Sequence, residues 1–247
     1  MDRKEALVFL HGVGGNGSVW EFQKDFFGDR YKVIGWDAPG YGGRDRIEPF
    51  TIATLADQLA KDLDELGLKK CHLVGHSFGG MIAQAFVKGH SNRLLSLTLS
   101  GTSPAFGKPD GDFQKKFLDA RLKPLDEGKT LADLAPSIVP TLVAEDPNPE
   151  GMKIALASMS SCPSDTYRAS MIAITQFDMR YDLVNITVPT LVLAGEKDTN
   201  APAPMMEKMA ARIVASIFTQ MPGVGHLANL EQPEAFNKAL NDFLEAL

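Results

Sequence analysis

The stretch GHSFGG (residues 75–80) places Ser77 between glycines, where an apolar run gives way to a helical pattern. A sharp turn from strand to helix would hold this residue in a strained backbone conformation, and Gly75 and Gly79 would avoid the resulting clashes. The free amides and positive dipole end of the helix would then face the serine hydroxyl. The pattern therefore predicts Ser77 as a nucleophile beside an anion-stabilising helix terminus.

A serine is a weak nucleophile unless a base activates it, and the base needs an acid to orient it. Of the five histidines, His226 follows the last predicted strand, on the glycine-rich loop of MPGVGHLANLEQP. From there it would reach the carboxyl edge of a parallel sheet, so we predict His226 as the base. His76, although adjacent to Ser77, is expected to point to the other side of the turn and to pack locally.

The acid should follow another strand between these two residues, and TLVLAGEKDTNAP supplies Glu196 and Asp198. Asp198 comes three residues after the strand, where the loop could fold its carboxylate back toward His226. Glu196 is closer to the strand and ranks second. The other candidate strand end, LSLTLSG, has no carboxylate before Asp110. Asp198 is therefore the predicted acid.

The glycine-rich stretch HGVGG (residues 11–15) follows the first apolar run and has too little side chain to build a core. We predict that it brings a backbone amide near the serine, so that the amides of Val13 and Phe78 form an oxyanion hole. Each such donor contributes on the order of 10²–10³ in rate. The alternative is a loop that merely turns the chain. Phosphate binding is disfavoured because neither dinucleotide spacing nor a P-loop lysine is present.

Short apolar, β-branched runs recur along the chain and do not alternate with polar residues, as is typical of strands buried on both faces of a parallel sheet. They are residues 6–10, 32–36, 72–75, 95–101, 190–195 and 216–221. Helical periodicity lies between them, notably at 52–66, with Gly67 at the C-cap, and at 233–247. This alternation predicts an α/β fold with a doubly wound, mostly parallel sheet.

Residues 102–188 contain no convincing strand and instead offer helical stretches near 111–127, 130–138, 150–160 and 165–177. A segment of this length is more typical of a lid than of a loop. We therefore predict a core of residues 1–101 and 189–247 with a helical cap of residues 102–188. Apolar cap residues are expected either to line a pocket over Ser77 or to pack the cap onto the core: Phe106, Leu142, Met171 and Phe177.

Composition excludes several classes of protein. A formal charge of −6, without a basic cluster, argues against nucleic acid or an anionic membrane as a partner. No run is long enough for a signal peptide or a membrane span. The two cysteines, Cys71 and Cys162, are expected as free thiols in a reducing compartment, which favours a cytoplasmic protein. The oligomeric state, monomer or homodimer, stays open.

The motifs HGVGG, DAPGYGGRD, GHSFGG, GEKD and GHL, in this order, resemble the α/β-hydrolase superfamily. Within it, FDMRYDLVNITVPTLVLAGEKD and GHLANLEQPEAFN are most similar to 3-oxoadipate enol-lactonases and related esterases. The resemblance implies a helical cap after the sixth-strand position, the chain order Ser, Asp, His, and a serine mechanism without cofactor or metal. Two departures are His11 and Gly12, where those lactonases often carry Asn-Ser, and the lack of the usual N-terminal hairpin.

The expected function is hydrolysis of a small carboxylic ester or lactone. A second hypothesis is a C–C bond hydrolase acting on a ring-cleavage diketone with the same three residues, and a third is a ligand receptor on the same fold. The resemblance implies an anionic lactone as substrate, and we predict Arg180, in FDMRYD, as the residue that holds its charge. The alternative is a surface arginine paired with Asp178 or Asp182.

Overall fold

A computed structural model describes residues 4–107 and 111–247 of the chain. Its sheet contains the strands β1 (Ala6–Leu10), β2 (Lys32–Trp36), β3 (Cys71–His76), β4 (Leu94–Ser100), β5 (Thr190–Gly195) and β6 (Ser216–Met221). The strand order is β2-β1-β3-β4-β5-β6, and all neighbouring strands are parallel. The predicted doubly wound parallel sheet is confirmed. The order reverses between β1 and β3, and ligands of such sheets bind at the carboxyl ends of strands beside this point.

Helices connect the strands. They are α1 (Glu21–Phe27), α2 (Ile52–Glu65), α3 (Phe78–His90), α4 (Asp112–Asp126), α5 (Leu131–Ile138), α6 (Pro149–Ser160), α7 (Ser164–Thr175), α8 (Ala203–Ala210), α9 (Ala228–Glu231) and α10 (Pro233–Glu245). Helix α2 packs against α3, and α1 packs against α10. Short 3₁₀ segments at Gly17–Trp20, Ser91–Arg93, Val139–Leu142 and Leu183–Asn185 complete the chain.

Local sequence explains most of these boundaries. Strand β1 is an unbroken apolar run, and all five of its residues are buried because helices cover both faces of the central sheet. Helix α2 begins at the capping residue Thr51, whose side chain exchanges hydrogen bonds with Thr54, and the chain turns away at Gly67 with φ +67°. The sequence-predicted strands and helices therefore agree with the structure to within a few residues at each end.

The segment between β4 and β5 holds the four helices expected from its periodicity, α4 to α7. Helix α4 packs against α7, and α5 packs against α6. In its described part the only extended pairing is a single bridge between Ala105 and Asp178. Residues 108–110 of the predicted cap lie outside the described residues. The insertion follows β4, the fourth strand in chain order among the described residues.

No helix in residues 4–107 and 111–247 is both long enough and apolar enough to cross a membrane.

Candidate active site

Ser77 occupies the turn between β3 and α3 with a strained backbone, φ 52° and ψ −115°. The turn brings α3 so close to the sheet that a Cβ at Gly79 would lie 2.3 Å from the carbonyl oxygen of Leu10. A Cβ at Gly75 would lie 2.5 Å from the carbonyl oxygen of Gly79. Any larger residue would force these elements apart, so the two glycines are what permits the sharp turn that the sequence predicted.

Three side chains from three loops form one hydrogen-bonded line. His226, on the loop after β6, has Nε2 3.0 Å from the Ser77 Oγ and Nδ1 2.8 Å from the Asp198 Oδ2. Asp198, on the loop after β5, also accepts hydrogen bonds at Oδ1 from the amides of Asn200 and Ala201, at 2.8 and 2.9 Å. The structure therefore brings together Ser77, His226 and Asp198, which the sequence placed on separate loops.

Asp198 is suited to stay ionised. Burial alone would raise the pKa of its carboxyl, but the hydrogen bond and charge of His226 and the two backbone amides outweigh burial and lower the pKa. The second-ranked acid, Glu196, points elsewhere, because its Oε2 accepts a hydrogen bond from the amide of Gly223 at 2.7 Å. The geometry thus agrees with the choice of Asp198 over Glu196.

The loop after β1 lies against the serine. A Cβ at Gly12 would be 3.3 Å from the Cβ of Ser77, and Val13 lines the same cavity. Within the described residues, the amides of Val13 and Phe78 make no hydrogen bond. His11 braces the loop: its Nε2 accepts from the amide of Ala38 at 3.1 Å, so its Nδ1 carries the proton and donates to the Gly12 carbonyl at 2.8 Å. Both amides are therefore available as donors, that of Phe78 directly after Ser77 and that of Val13 on a loop that lines the cavity.

The expectation for His76 was wrong. Its ring does not turn away from the site but lines the cavity and packs against the His226 ring, with 4.8 Å between the ring centroids. Room for the ring comes from Gly12 and Gly101, where added Cβ atoms would each lie 3.1 Å from it. Burial lowers the pKa of His76 to about 3, so it is a neutral wall of the site. Sequence reasoning missed this because the strand register decides which way the residue before Ser77 points.

A cavity of about 170 Å³ opens above Ser77 and His226. Its lining comes from the loops after β1, β3, β4, β5 and β6 and from the insertion. Three of the predicted pocket residues line it, Phe106, Leu142 and Met171. Most other wall residues are apolar, including Phe117, Ile138, Val139, Met159 and Ile174. Side chains of the insertion therefore line the cavity above Ser77 and His226.

Two predicted substrate-binding residues are not in this cavity. Phe177 is buried in the core, and its backbone carbonyl pairs with the amide of Phe106. The Arg180 side chain is 46% exposed and forms an ion pair with Asp178, which was the alternative interpretation of FDMRYD. Arg180 lies outside the cavity because it follows Asp178 by two residues and wraps back onto its carboxylate, with Nε 2.9 Å from Oδ1.

Sequence reasoning did not identify Arg121 or Tyr167, which also line the cavity. A signal for Arg121 was present, because it follows Phe117 by four residues in α4 and so shares a helix face with an aromatic ring. In residues 4–107 and 111–247, no group of three or more histidine, cysteine or acidic side chains is arranged to hold a metal ion.

Glu231, at the end of α9, is a buried carboxylate behind the histidine loop, only 4% exposed. Its Oε2 accepts hydrogen bonds from the amides of Gly225 and Ala144, both at 2.9 Å. The amide of His226 in turn donates to the Leu142 carbonyl at 2.7 Å. Glu231 therefore ties the loop that carries His226 to the segment of the insertion that crosses it. Burial raises its pKa, although the amides of Ala144, Gly225 and Leu227 oppose the rise.

We expect Glu231→Ala to lower the free energy of unfolding by about 1–3 kcal/mol, because buried amides lose their acceptor. Glu231→Gln keeps an acceptor oxygen and serves as the matched control.

The stability of the wild type should also depend on pH. In the folded protein the pKa of Glu231 lies above its ordinary 4.5, so between these two pKa values the folded state holds a proton that the unfolded state has lost. The stability contributed by this proton is fully present below pH 4.5 and is lost as the pH rises through the folded pKa. Urea denaturation across this pH range should show the wild type losing stability relative to Glu231→Gln. A difference in the free energy of unfolding that does not change with pH would contradict the raised pKa of Glu231.

Residues 7–239 of the chain match a family model described as the alpha/beta hydrolase family. The chain belongs to this α/β-hydrolase family, and the expected fold and the expected hydrolase class of enzyme are both confirmed.

Individual relatives cover nearly the whole chain. A protein of Caulobacter sp. (strain K31), provisionally named carbamate hydrolase RutD, is 29% identical over 98% of this chain and 91% of its own length. The 3-oxoadipate enol-lactonase 1 of Acinetobacter baylyi is 27% identical over 98% of this chain and 89% of its own. A solved thermophilic esterase from Thermogutta terrifontis, with malate bound, aligns at a TM-score of 0.87 and 29% identity, covering 99% of this chain and 90% of its own. The resemblance to enol-lactonases and esterases is thereby confirmed.

Proposed function

We propose that this chain is a serine hydrolase that cleaves a small carboxylic ester or lactone through an acyl-enzyme. The observation that carries the proposal is the hydrogen-bonded line from Ser77 through His226 to Asp198, with two free amides beside the serine. This is the arrangement that an acyl-transfer enzyme needs, namely a nucleophile, a base, an orienting acid and oxyanion donors.

Each residue has a role in two half-reactions. The Ser77 Oγ attacks the carbonyl carbon while the His226 Nε2 takes the hydroxyl proton. The amides of Val13 and Phe78 hold the oxyanion, and Asp198 keeps the Nδ1 proton of His226 in place. Collapse of the tetrahedral intermediate breaks the ester bond, and His226 protonates the departing alkoxide. Water, activated by His226, then attacks the acyl-enzyme and releases the acid and free Ser77.

The insertion of residues 102–188 acts in this proposal as the cap that selects the substrate. Its walls at Phe106, Leu142 and Met171 enclose a small, mostly apolar volume directly above the serine. A short acyl group fits such a space, whereas a long acyl chain would have to displace wall residues. The names of the enol-lactonase and esterase relatives support small esters and lactones as the substrate class.

A substrate panel tests this function, run on wild type and Ser77→Ala together. It contains p-nitrophenyl butyrate, p-nitrophenyl palmitate, a small enol-lactone, a small carbamate and a vinylogous diketone of the ring-cleavage type. We expect Ser77-dependent turnover of the butyrate and the lactone, with kcat/KM for the palmitate lower by at least about 10-fold, because each methylene that does not fit costs binding energy.

Turnover of the diketone alone would instead establish a C–C bond hydrolase, and turnover of the carbamate alone would establish a carbamate hydrolase. Binding of these compounds without any turnover would favour a receptor. Each of these results would contradict the ester and lactone proposal.

A further inference from the structure

A guanidinium reaches the cavity from the insertion. Arg121, in the third turn of α4, lines the same cavity as Ser77 and His226. Apart from histidines, no other described residue that lines the cavity has a charged side chain. A charge facing an apolar site loses part of its hydration, and this is costly unless an opposite charge compensates for it. The position of Arg121 therefore points to a partner of opposite charge.

The described residues around Arg121 do not supply that charge. The Arg121 guanidinium carbon lies 5.5 Å from the centroid of the Phe117 ring and beside the hydroxyl of Tyr167. These contacts orient the guanidinium but do not neutralise it. Among the described residues, no carboxylate lies within ion-pair distance of Arg121 or of the exposed Arg212. Six other arginines each pair with at least one carboxylate: Arg30, Arg44, Arg46, Arg93, Arg168 and Arg180.

We propose that Arg121 binds a carboxylate at the end of the substrate remote from the bond that is cleaved. The substrate class is then a small ester or lactone that carries a free carboxylate. This inference rests on the proposed function, because it takes the reacting carbonyl to lie at Ser77. It also moves the expected anion-binding role from Arg180, which is exposed and paired with Asp178, to a residue inside the cavity.

The chemistry around Arg121 suits a carboxylate. A guanidinium presents two parallel N–H donors that match the two carboxylate oxygens, and the face of the Phe117 ring keeps its plane in place. The Tyr167 hydroxyl is a further donor at the same wall. Leu142 and Met171 line the cavity as well, where they provide apolar contact for the methylenes of the substrate. No acidic residue among the described lining residues would repel the anion.

Two esters of matched length and leaving group test the proposal, anionic mono-p-nitrophenyl glutarate and neutral p-nitrophenyl valerate. The quantity measured is the ratio of their kcat/KM values, which does not depend on the fraction of enzyme that is folded. Wild type should prefer the anionic ester. Arg121→Gln should lower kcat/KM for the glutarate by about 10- to 100-fold, the range expected for lost charge-assisted hydrogen bonds, and change the valerate by less than about threefold.

Two further variants sharpen the result. Arg121→Lys keeps the charge but not the fork of donors, so its preference should fall between wild type and Arg121→Gln. Arg180→Gln is the matched control, since it removes an arginine that lies outside the cavity, and its ratio should equal that of wild type. A wild type without preference, equal losses on both esters in Arg121→Gln, or a loss of preference in Arg180→Gln would overturn the proposal.

A binding measurement separates this proposal from the proposed function. Glutarate should raise the melting temperature of wild type, neutral glutaramide should not, and the shift by glutarate should vanish in Arg121→Gln. This readout needs no turnover. If neither ester is hydrolysed but the glutarate shift depends on Arg121, the hydrolase function fails and the anion site stands. If Ser77-dependent hydrolysis occurs but glutarate gives no Arg121-dependent shift, the anion site fails alone.

Discussion

Ser77→Ala is expected to lower kcat for ester hydrolysis by about 10⁴–10⁶-fold, and His226→Ala should do the same. In the proposed mechanism Ser77 and His226 act as one unit, because their 3.0 Å hydrogen bond is the path by which the attacking oxygen loses its proton. Without the base the serine is a weak nucleophile, and without the serine the base has no nucleophile to activate. The double variant should therefore be little worse than either single one.

The measurement is steady-state hydrolysis of p-nitrophenyl butyrate, together with covalent labelling by a fluorophosphonate followed by peptide mass analysis. The label should fall on the peptide that contains Ser77 and disappear in Ser77→Ala. Ser103→Ala is the matched control, because Ser103 also lines the cavity but donates its hydroxyl proton to the Ala105 carbonyl. Near-normal turnover by Ser77→Ala would show that the nucleophile lies elsewhere. Additive losses in the double variant would show that Ser77 and His226 do not act as one unit.

Asp198→Asn is expected to lower kcat by about 10⁴-fold while leaving the fold intact. The asparagine keeps an oxygen for the amides of Asn200 and Ala201. It cannot stabilise the imidazolium that the proposed mechanism forms on His226. An amide in this position also favours the wrong tautomer of the imidazole. The loss should therefore appear in kcat, while the melting temperature changes little.

Glu196→Gln is the matched control for this variant, since it makes the same chemical change on the same loop. Its carboxylate accepts from the Gly223 amide on the surface and does not contact His226, so kcat should change by less than about threefold. A larger loss for Glu196→Gln than for Asp198→Asn would reverse the assignment of the acid. Comparable small losses would mean that His226 is oriented by its backbone surroundings alone.

The sequence by itself was sufficient to predict the parallel sheet and to predict that Ser77, Asp198 and His226 lie close together. Unbroken apolar runs separated by helical periodicity specify buried parallel strands, and the carboxyl ends of such strands meet at one edge of the sheet. Residues that directly follow those strands must therefore converge, however far apart they lie in the chain. The glycines on either side of Ser77 indicated the tight turn that holds it, because larger residues there would clash with the neighbouring backbone.

Only the tertiary structure decided which residues of the insertion face the cavity. Apolar residues of the insertion both pack on the core and line the pocket. Hydrophobic periodicity therefore could not separate buried Phe177, just beyond the end of α7, from cavity-lining Met171 within it. The two arginines differ for a similar reason. Arg180 forms an ion pair with a carboxylate two residues away, whereas no carboxylate of residues 4–107 and 111–247 lies within ion-pair distance of Arg121. Ion pairing depends on distances that folding sets. The direction of His76 likewise follows from strand register, which is fixed by the neighbouring strands β1 and β4.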